Sequence, residues 1–228
     1  MPRPLPDLRA RYTAPEEQIY LRTHQERYEL LLDLVAELAP ARILVVGPSY
    51  DSMLLREALP GAMVNSLGWL DHRFPLREGE QHVQLDLNES ERPALEEHDV
   101  VVCGEVIEHL HVAPVPVLRY LGSGLRTGGH LILQTPNATN LPKRIRMLLG
   151  RNPYDPIRED PANPGHFHEF TVPELLASVE DAGLEAMRWL TRNYFDHGSA
   201  KNKAFRRIGP ILPPTLREGI TVVARRNR

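Results

Sequence analysis

Asp99-Val100-Val101-Val102-Cys103-Gly104-Glu105-Val106-Ile107-Glu108-His109-Leu110 runs from an apolar stretch into a Gly-Glu turn and then into a carboxylate beside an imidazole. Its consecutive valines have the β-branched density of a strand covered on both faces. Acidic or His side chains just past the carboxyl end of such a strand stand where open α/β sheets bind ligands. The stretch predicts a buried parallel strand over 99–103 with a crevice at its end.

Outward from this strand, further short apolar runs alternate with helical patterns. Arg42 to Gly47, Ala62 to Leu67, His82 to Leu87 and His130 to Pro136 read as strands, each bounded by turn residues. Between them, Ser52 to Leu59 and Val115 to Leu121 read as helices. Upstream, apolar residues from Pro15 to Leu38 recur at helical spacing, as one helix or two, after an extended arm over 1–13. Downstream, Leu141 to Leu149 reads as a short basic helix, and residues 151–165, with four prolines, read as a long loop of the kind that serves as a lid. Thr171 and Glu174 have capping-box spacing at the head of a helix ending near Gly183. Glu185 to Phe195 and Ile220 to Arg225 then read as a terminal antiparallel hairpin around a basic insert, Lys201 to Arg207.

Strand–helix alternation implies a parallel sheet with right-handed crossovers. The 228 residues are expected to form a single domain, 1–40 supplying the arm and N-terminal helices and 41–228 an α/β core with a lid-like loop over 150–167. Composition narrows the function classes. A net charge of −3 gives no global basic field for a nucleic-acid backbone. A single cysteine excludes an internal disulfide framework and a Cys-rich zinc site, and fits a reducing, cytoplasmic setting. No apolar run reaches the roughly 20 residues of a membrane span. The expected partners are a small-molecule acceptor and at most a second copy of the chain, with no membrane and no nucleic acid.

Three motifs in order carry a family resemblance: "DVVVCGEVIEHL", "LGSGLRTGGHLILQTPN" and "GHFHEFTVPELLASVEDAGLE". They resemble the "FDVVVCSEVLEHL", "LKPGGxLLLxTPN" and "HxREFTxEELxxLLxxAGF" of class I S-adenosylmethionine-dependent methyltransferases, especially the small-molecule and ubiquinone-type O-methyltransferases. The resemblance spans roughly Arg42 to Phe195. It implies a Rossmann-like, doubly wound seven-stranded α/β sheet, mostly parallel with an antiparallel last strand. It also implies S-adenosylmethionine as cofactor and O-methylation of a small-molecule or sugar-type acceptor.

The family's cofactor motif is an acidic residue followed by Gly-x-Gly-x-Gly, and only Gly47 of it is present here, with Ser49 and Asp51 at the other glycine positions. Ser49 is small enough to keep the backbone approach open. Asp51 either faces the cofactor's positive charge or takes part, with Ser52, in capping a helix. The ribose acid expected directly after strand two is absent there, so Asp71 either substitutes through a longer turn or is a loop carboxylate. Asp86, followed by Leu87, matches the family's adenine-contacting acid, against a turn-capping alternative. Gly104 and Glu105 match the turn lining the cofactor and transfer channel. His109, or His166 beyond the Pro-rich loop, is expected to accept the acceptor's proton, an imidazole having the pKa for it, against a structural role for each. The pairs His109/His111 and His166/His168 invite a metal reading, but no carboxylate or Cys spacing completes a tetrahedral set, so no metal is expected. The eroded glycine turn keeps a second reading open: a methyltransferase-like binding or scaffolding module without catalysis.

Overall fold

A computed structural model describes residues 6–160 and 163–227. The strands are β1 (Arg42–Val46), β2 (Met63–Gly68), β3 (His82–Gln84), β4 (His98–Gly104), β5 (Leu125–Pro136), β6 (Glu185–Arg192) and β7 (Gly219–Arg225). They form one sheet of order β3-β2-β1-β4-β5-β7-β6. Neighbours from β3 to β5 are parallel, and β7 runs antiparallel to both β5 and β6. This is the doubly wound, seven-stranded fold expected from the sequence.

The two-residue period of the strands splits the core in two. Ile43, Val45, Val100 and Val102 face a cluster built with helices α1 (Pro15–Thr23), α2 (Gln25–Leu38) and α3 (Tyr50–Ala58). Leu44, Val46, Val101 and Cys103 face the opposite cluster, built with α4 (Pro114–Ser123) and α6 (Val172–Asp181). The short basic helix is α5 (Leu141–Leu148), and the basic insert folds as α7 (Ala200–Ile208). Strand order reverses between β1 and β4, so their carboxyl ends open a crevice, the usual ligand position in such sheets. No helix among the described residues is long and apolar enough to cross a membrane.

Several boundaries differ from the sequence reading, each for a local reason. The Arg126-Thr127-Gly128-Gly129 turn does not precede strand five but lies inside β5. Leu125 already pairs with His98, and the register shifts before Val100 pairs with His130. Such an insertion is a bulge, for which the positive φ of Gly128 (78°) is suited. β3 stops at Gln84, and Leu85 to Leu87 continue as a crevice wall instead of a strand. β6 ends at Arg192, not Phe195. In place of an extended arm, Leu8 to Ala10 form a 3-10 turn, and Leu8 and Tyr12 are buried against the α1–α3 cluster. Thr171 and Glu174 form the expected capping box, each accepting from the other's backbone N–H. Residues 1–5 of the expected arm and 161–162 of the expected lid lie outside the described residues.

Candidate active site

The crevice at the carboxyl ends of β1, β2 and β3 is a cleft of about 1080 Å³. Gly47 and Gly68 face one another across its floor, with φ of 74° and 124°. A Cβ on Gly68 would stand 3.4 Å from the Gly47 nitrogen, so a side chain here would crowd the turn that ends β1. Asp86 accepts hydrogen bonds from Asn88 N (2.9 Å) and Asn88 Nδ2 (3.0 Å), both at Oδ1. It thus caps its turn with one oxygen and leaves Oδ2 for a ligand. Asp71 is held by Arg73 through bonds of 2.6 to 3.1 Å, which pull its carboxyl below the usual range. Leu87 and the 68% exposed Trp69 complete the apolar wall. An apolar slot with acceptors at its lip fits a ligand carrying an aromatic base, a diol and a positive charge.

Of the residues expected at this cleft, Ser49, Asp51, Gly104 and Glu105 do not line it. Ser49 is the N-cap of α3, accepting from Asp51 N, while Ser49 N donates to Ser52 Oγ. Asp51 is 2% exposed and receives Arg27 at both oxygens, Nη1 to Oδ2 at 3.1 Å and Nη2 to Oδ1 at 3.0 Å. Arg27 Nη1 also donates to Gln134 Oε1 at 3.1 Å. Gly104 is required by that pair, since a Cβ there would come within 2.8 Å of Arg27 Nη1. Asp51 and Gly104 therefore sit at a buried ion pair that ties α2 to α3 and the sheet.

Glu105 and His166 line a second chamber of about 380 Å³. His109 lines both this chamber and the cleft. Glu105 holds a φ of 55°, costly for a residue with a Cβ and typical of functional turns. Burial pushes its carboxyl up to about 7, and its Oε1 is buried without a hydrogen-bond partner among the described residues. Glu108 is fully buried; Oε2 accepts from Thr135 Oγ1 at 3.0 Å, and Oε1 has no hydrogen-bond partner among the described residues. Burial first, and the Glu105 charge second, raise its pKa well above the carboxylate range.

The ring of His109 donates Nδ1–H to the Gly165 carbonyl at 2.9 Å, which leaves Nε2 unprotonated in the neutral imidazole. Burial lowers its pKa, so the neutral form persists at neutral pH. His166 packs edge-on against it at 4.7 Å and bonds Glu169 through Nδ1 at 3.1 Å. Burial, then His109 and Lys143, bring His166 down to about 4. Lys143 pairs with Glu169, and burial lowers its amine to about 8. Beyond lies an outer pocket of about 850 Å³, sharing Lys143, His166, Glu169 and Glu218 with the chamber.

Gly68 and Trp69 were given no site role from the sequence, nor was Glu169, while Glu108 was read only as the carboxylate beside His109 and Lys143 only as part of a basic helix. A glycine and an indole directly after strand two were legible signals for the first two. The others become site residues only through contacts between distant segments.

A family profile described as "Methyltransferase domain" matches residues 20–188. No curated protein matches the chain. Among solved structures, the fold is similar to an S-adenosylmethionine-dependent methyltransferase from Mesorhizobium loti (TM-score 0.57, 15% identity, covering 86% of this chain and 96% of that one). It is also similar to a chain of the Haloferax volcanii complex between the Trm112 methyltransferase activator and a methyltransferase (TM-score 0.64, 12% identity, 99% and 98% covered). A third is the N-methyltransferase NodS from Bradyrhizobium japonicum with S-adenosylhomocysteine (TM-score 0.54, 13% identity, 90% and 87% covered).

Proposed function

The chain belongs to the methyltransferase-domain family, and from that premise we propose that it transfers the methyl group of S-adenosylmethionine to an oxygen of a small, hydroxylated acceptor. The observation that carries this reading is the position of His109, on the wall shared by the β1–β3 cleft and the inner chamber. S-adenosylmethionine supplies, when bound, a methyl carbon activated by its sulfonium. Gly47 and Gly68 would leave room for the cofactor's close approach, Asp86 would offer its Oδ2 to the adenine amine, and Asp71, although paired with Arg73, would keep acceptor capacity for the ribose. The chamber would hold the acceptor hydroxyl beside the cleft, and alignment of that kind is the main contribution an enzyme makes to this displacement. His109 Nε2 or His166 receives the hydroxyl proton as the oxygen–carbon bond forms and the sulfur–carbon bond breaks.

The outer pocket favours a sugar-type or otherwise polar acceptor, because Lys143, Arg146, Asp155 and Glu169 offer both charges alongside the amides of Asn140 and Asn202. The single cysteine is buried, which suits the cytoplasm. The rival reading, a non-catalytic module, draws on the internally capped α3 N-terminus and the Asp71–Arg73 pair. The deciding assay incubates the protein with S-adenosylmethionine and a panel of polyols, phenols and matched amines. Formation of S-adenosylhomocysteine with a hydroxylated acceptor and not with its amine counterpart is expected. Turnover confined to amines overturns oxygen as the target, and no turnover with any acceptor favours the rival.

A further inference from the structure

We propose that the outer pocket is a phosphoryl-binding subsite for the acceptor, an inference that rests on the methyl-transfer reading. Arg146, Arg158 and Lys201 take the acceptor's phosphate or diphosphate group, and its hydroxyl enters the inner chamber. The three cations line one pocket of about 850 Å³, within the usual size of a small-molecule site. Arg146 stands on α5, Lys201 on α7 and Arg158 on the Pro-rich loop. A solvated charge run belongs to a single helix face, whereas here distant parts of the chain converge on a concave surface.

Partners divide unevenly around that pocket, and its acids are the occupied side. Glu169 receives both Lys143 and His166. Glu174 closes the capping box, accepting from Thr171 N at 2.8 Å. Glu218 accepts from Phe195 N at 3.3 Å and from Asn202 Nδ2 at 3.5 Å, and burial pushes its carboxyl up to about 7. The charge of Asp155 acts on Lys143. Arg146 and Lys201, by contrast, have no ion pair or side-chain hydrogen bond among the described residues. Arg158 makes no ion pair among them either, and its side chain reaches only the Asn163 carbonyl, at 3.5 Å. Its backbone N donates to the Pro164 carbonyl at 2.9 Å, which fixes the loop that presents it.

Cations left unpaired on a pocket wall recognise oxyanions, and guanidinium forks match phosphate geometry. A carboxylate brings one negative charge, whereas a phosphate ester brings about −1.5 to −2, so three such cations fit phosphate better. The subsite also adjoins the chemistry. Pocket and chamber share Asn140, Lys143, His166, His197 and Glu218. After burial, the Arg158 charge holds down the pKa of His109 and, behind His109 and Lys143, that of His166. A phosphoryl group on Arg158 therefore anchors the acceptor near both imidazoles, and binding one end of a substrate in this way orients the reacting end. The phosphoryl group is held and not transferred.

The test titrates the full chain with sodium pyrophosphate at fixed ionic strength, following heat by calorimetry. Saturable, submillimolar binding is expected, and Arg146→Gln, Arg158→Gln and Lys201→Gln, all on exposed side chains, should each weaken it by about fivefold or more. Lys203→Gln, exposed on α7 but outside the pocket, removes the same charge and should leave binding unchanged. No saturable heat at millimolar pyrophosphate, binding unchanged in the three pocket variants, or an equal loss in Lys203→Gln overturns the subsite. Glucose 1-phosphate or UDP-glucose should displace pyrophosphate where glucose does not, the first marking a monoester and the second a nucleoside diphosphate ester. Displacement by neither overturns the acceptor claim. S-adenosylhomocysteine binding on the same samples separates the two readings. Absent pyrophosphate binding with that binding intact removes the subsite alone, whereas pyrophosphate binding without it removes the transfer reading, and the acceptor claim with it.

Discussion

Two groups of buried charge meet the carboxyl end of β4, and their hydrogen bonding differs. Arg27 and Asp51 satisfy each other at both oxygens, with Gln134 taking a further guanidinium hydrogen and Tyr28 presenting its ring 4.5 Å from the guanidinium carbon. Glu105 and Glu108, on the turn that leaves the same strand, each keep a buried oxygen without a hydrogen-bond partner among the described residues. Structural charges in a low-dielectric interior are retained only when paired, whereas charges reserved for a ligand stay incomplete until it binds. The first group is therefore assigned to stability and the second to chemistry, although both are buried and meet at the same strand end.

The largest effect that would break this comparison is on the paired group. Arg27→Leu strands the Asp51 carboxylate and should lower unfolding free energy by about 3–5 kcal/mol, read from urea denaturation. A loss below about 1 kcal/mol would remove Arg27 from its structural role. Restoring stability with the double variant Arg27→Leu, Asp51→Leu would sharpen it, since an apolar pair can replace an ion pair of similar volume.

Glu108→Gln should have the opposite sign. Its folded pKa is raised, chiefly by burial and then by Glu105, so the native state holds a proton that the unfolded chain releases. Stability from this group is full below the unfolded carboxyl pKa and is lost as pH rises toward the folded value. The neutral amide escapes that loss. Glu108→Gln should match wild type near pH 5 and exceed it by about 1–3 kcal/mol near pH 8. A variant less stable than wild type at pH 8 would show that Glu108 is a satisfied structural residue.

The two groups also differed in how much of them could be read from the sequence. The strands followed from Val100 to Val102, Ile43 to Val46 and the turn residues between them, because β-branched runs report burial directly, whereas the seven-stranded arrangement was implied by the family resemblance. The glycine positions of the cofactor turn were harder. Ser49 and Asp51 occupy the right places in the motif, yet Ser49 is used as a helix cap, and Asp51 is claimed by Arg27 from a helix far upstream. Nothing local to Asp51 announces that partner. The approach of His166 to Glu108 and His109 was hidden for the same reason, since they come from the turn after β4 and a distant loop. Asp86 was read in both its senses, as a cap and as a ligand residue, and one oxygen is left for each.

The most direct measurement of the account is thermal unfolding of the protein with S-adenosylhomocysteine, with NADH as control, repeated on Asp86→Ala. At about 100 times its dissociation constant the ligand should stabilise the wild type by about 2.7 kcal/mol, a midpoint shift of several degrees. NADH should give none, and Asp86→Ala should need roughly ten times more ligand for the same shift. No shift at millimolar S-adenosylhomocysteine, or an equal shift with NADH, would contradict the assignment of the β1–β3 cleft as the cofactor site.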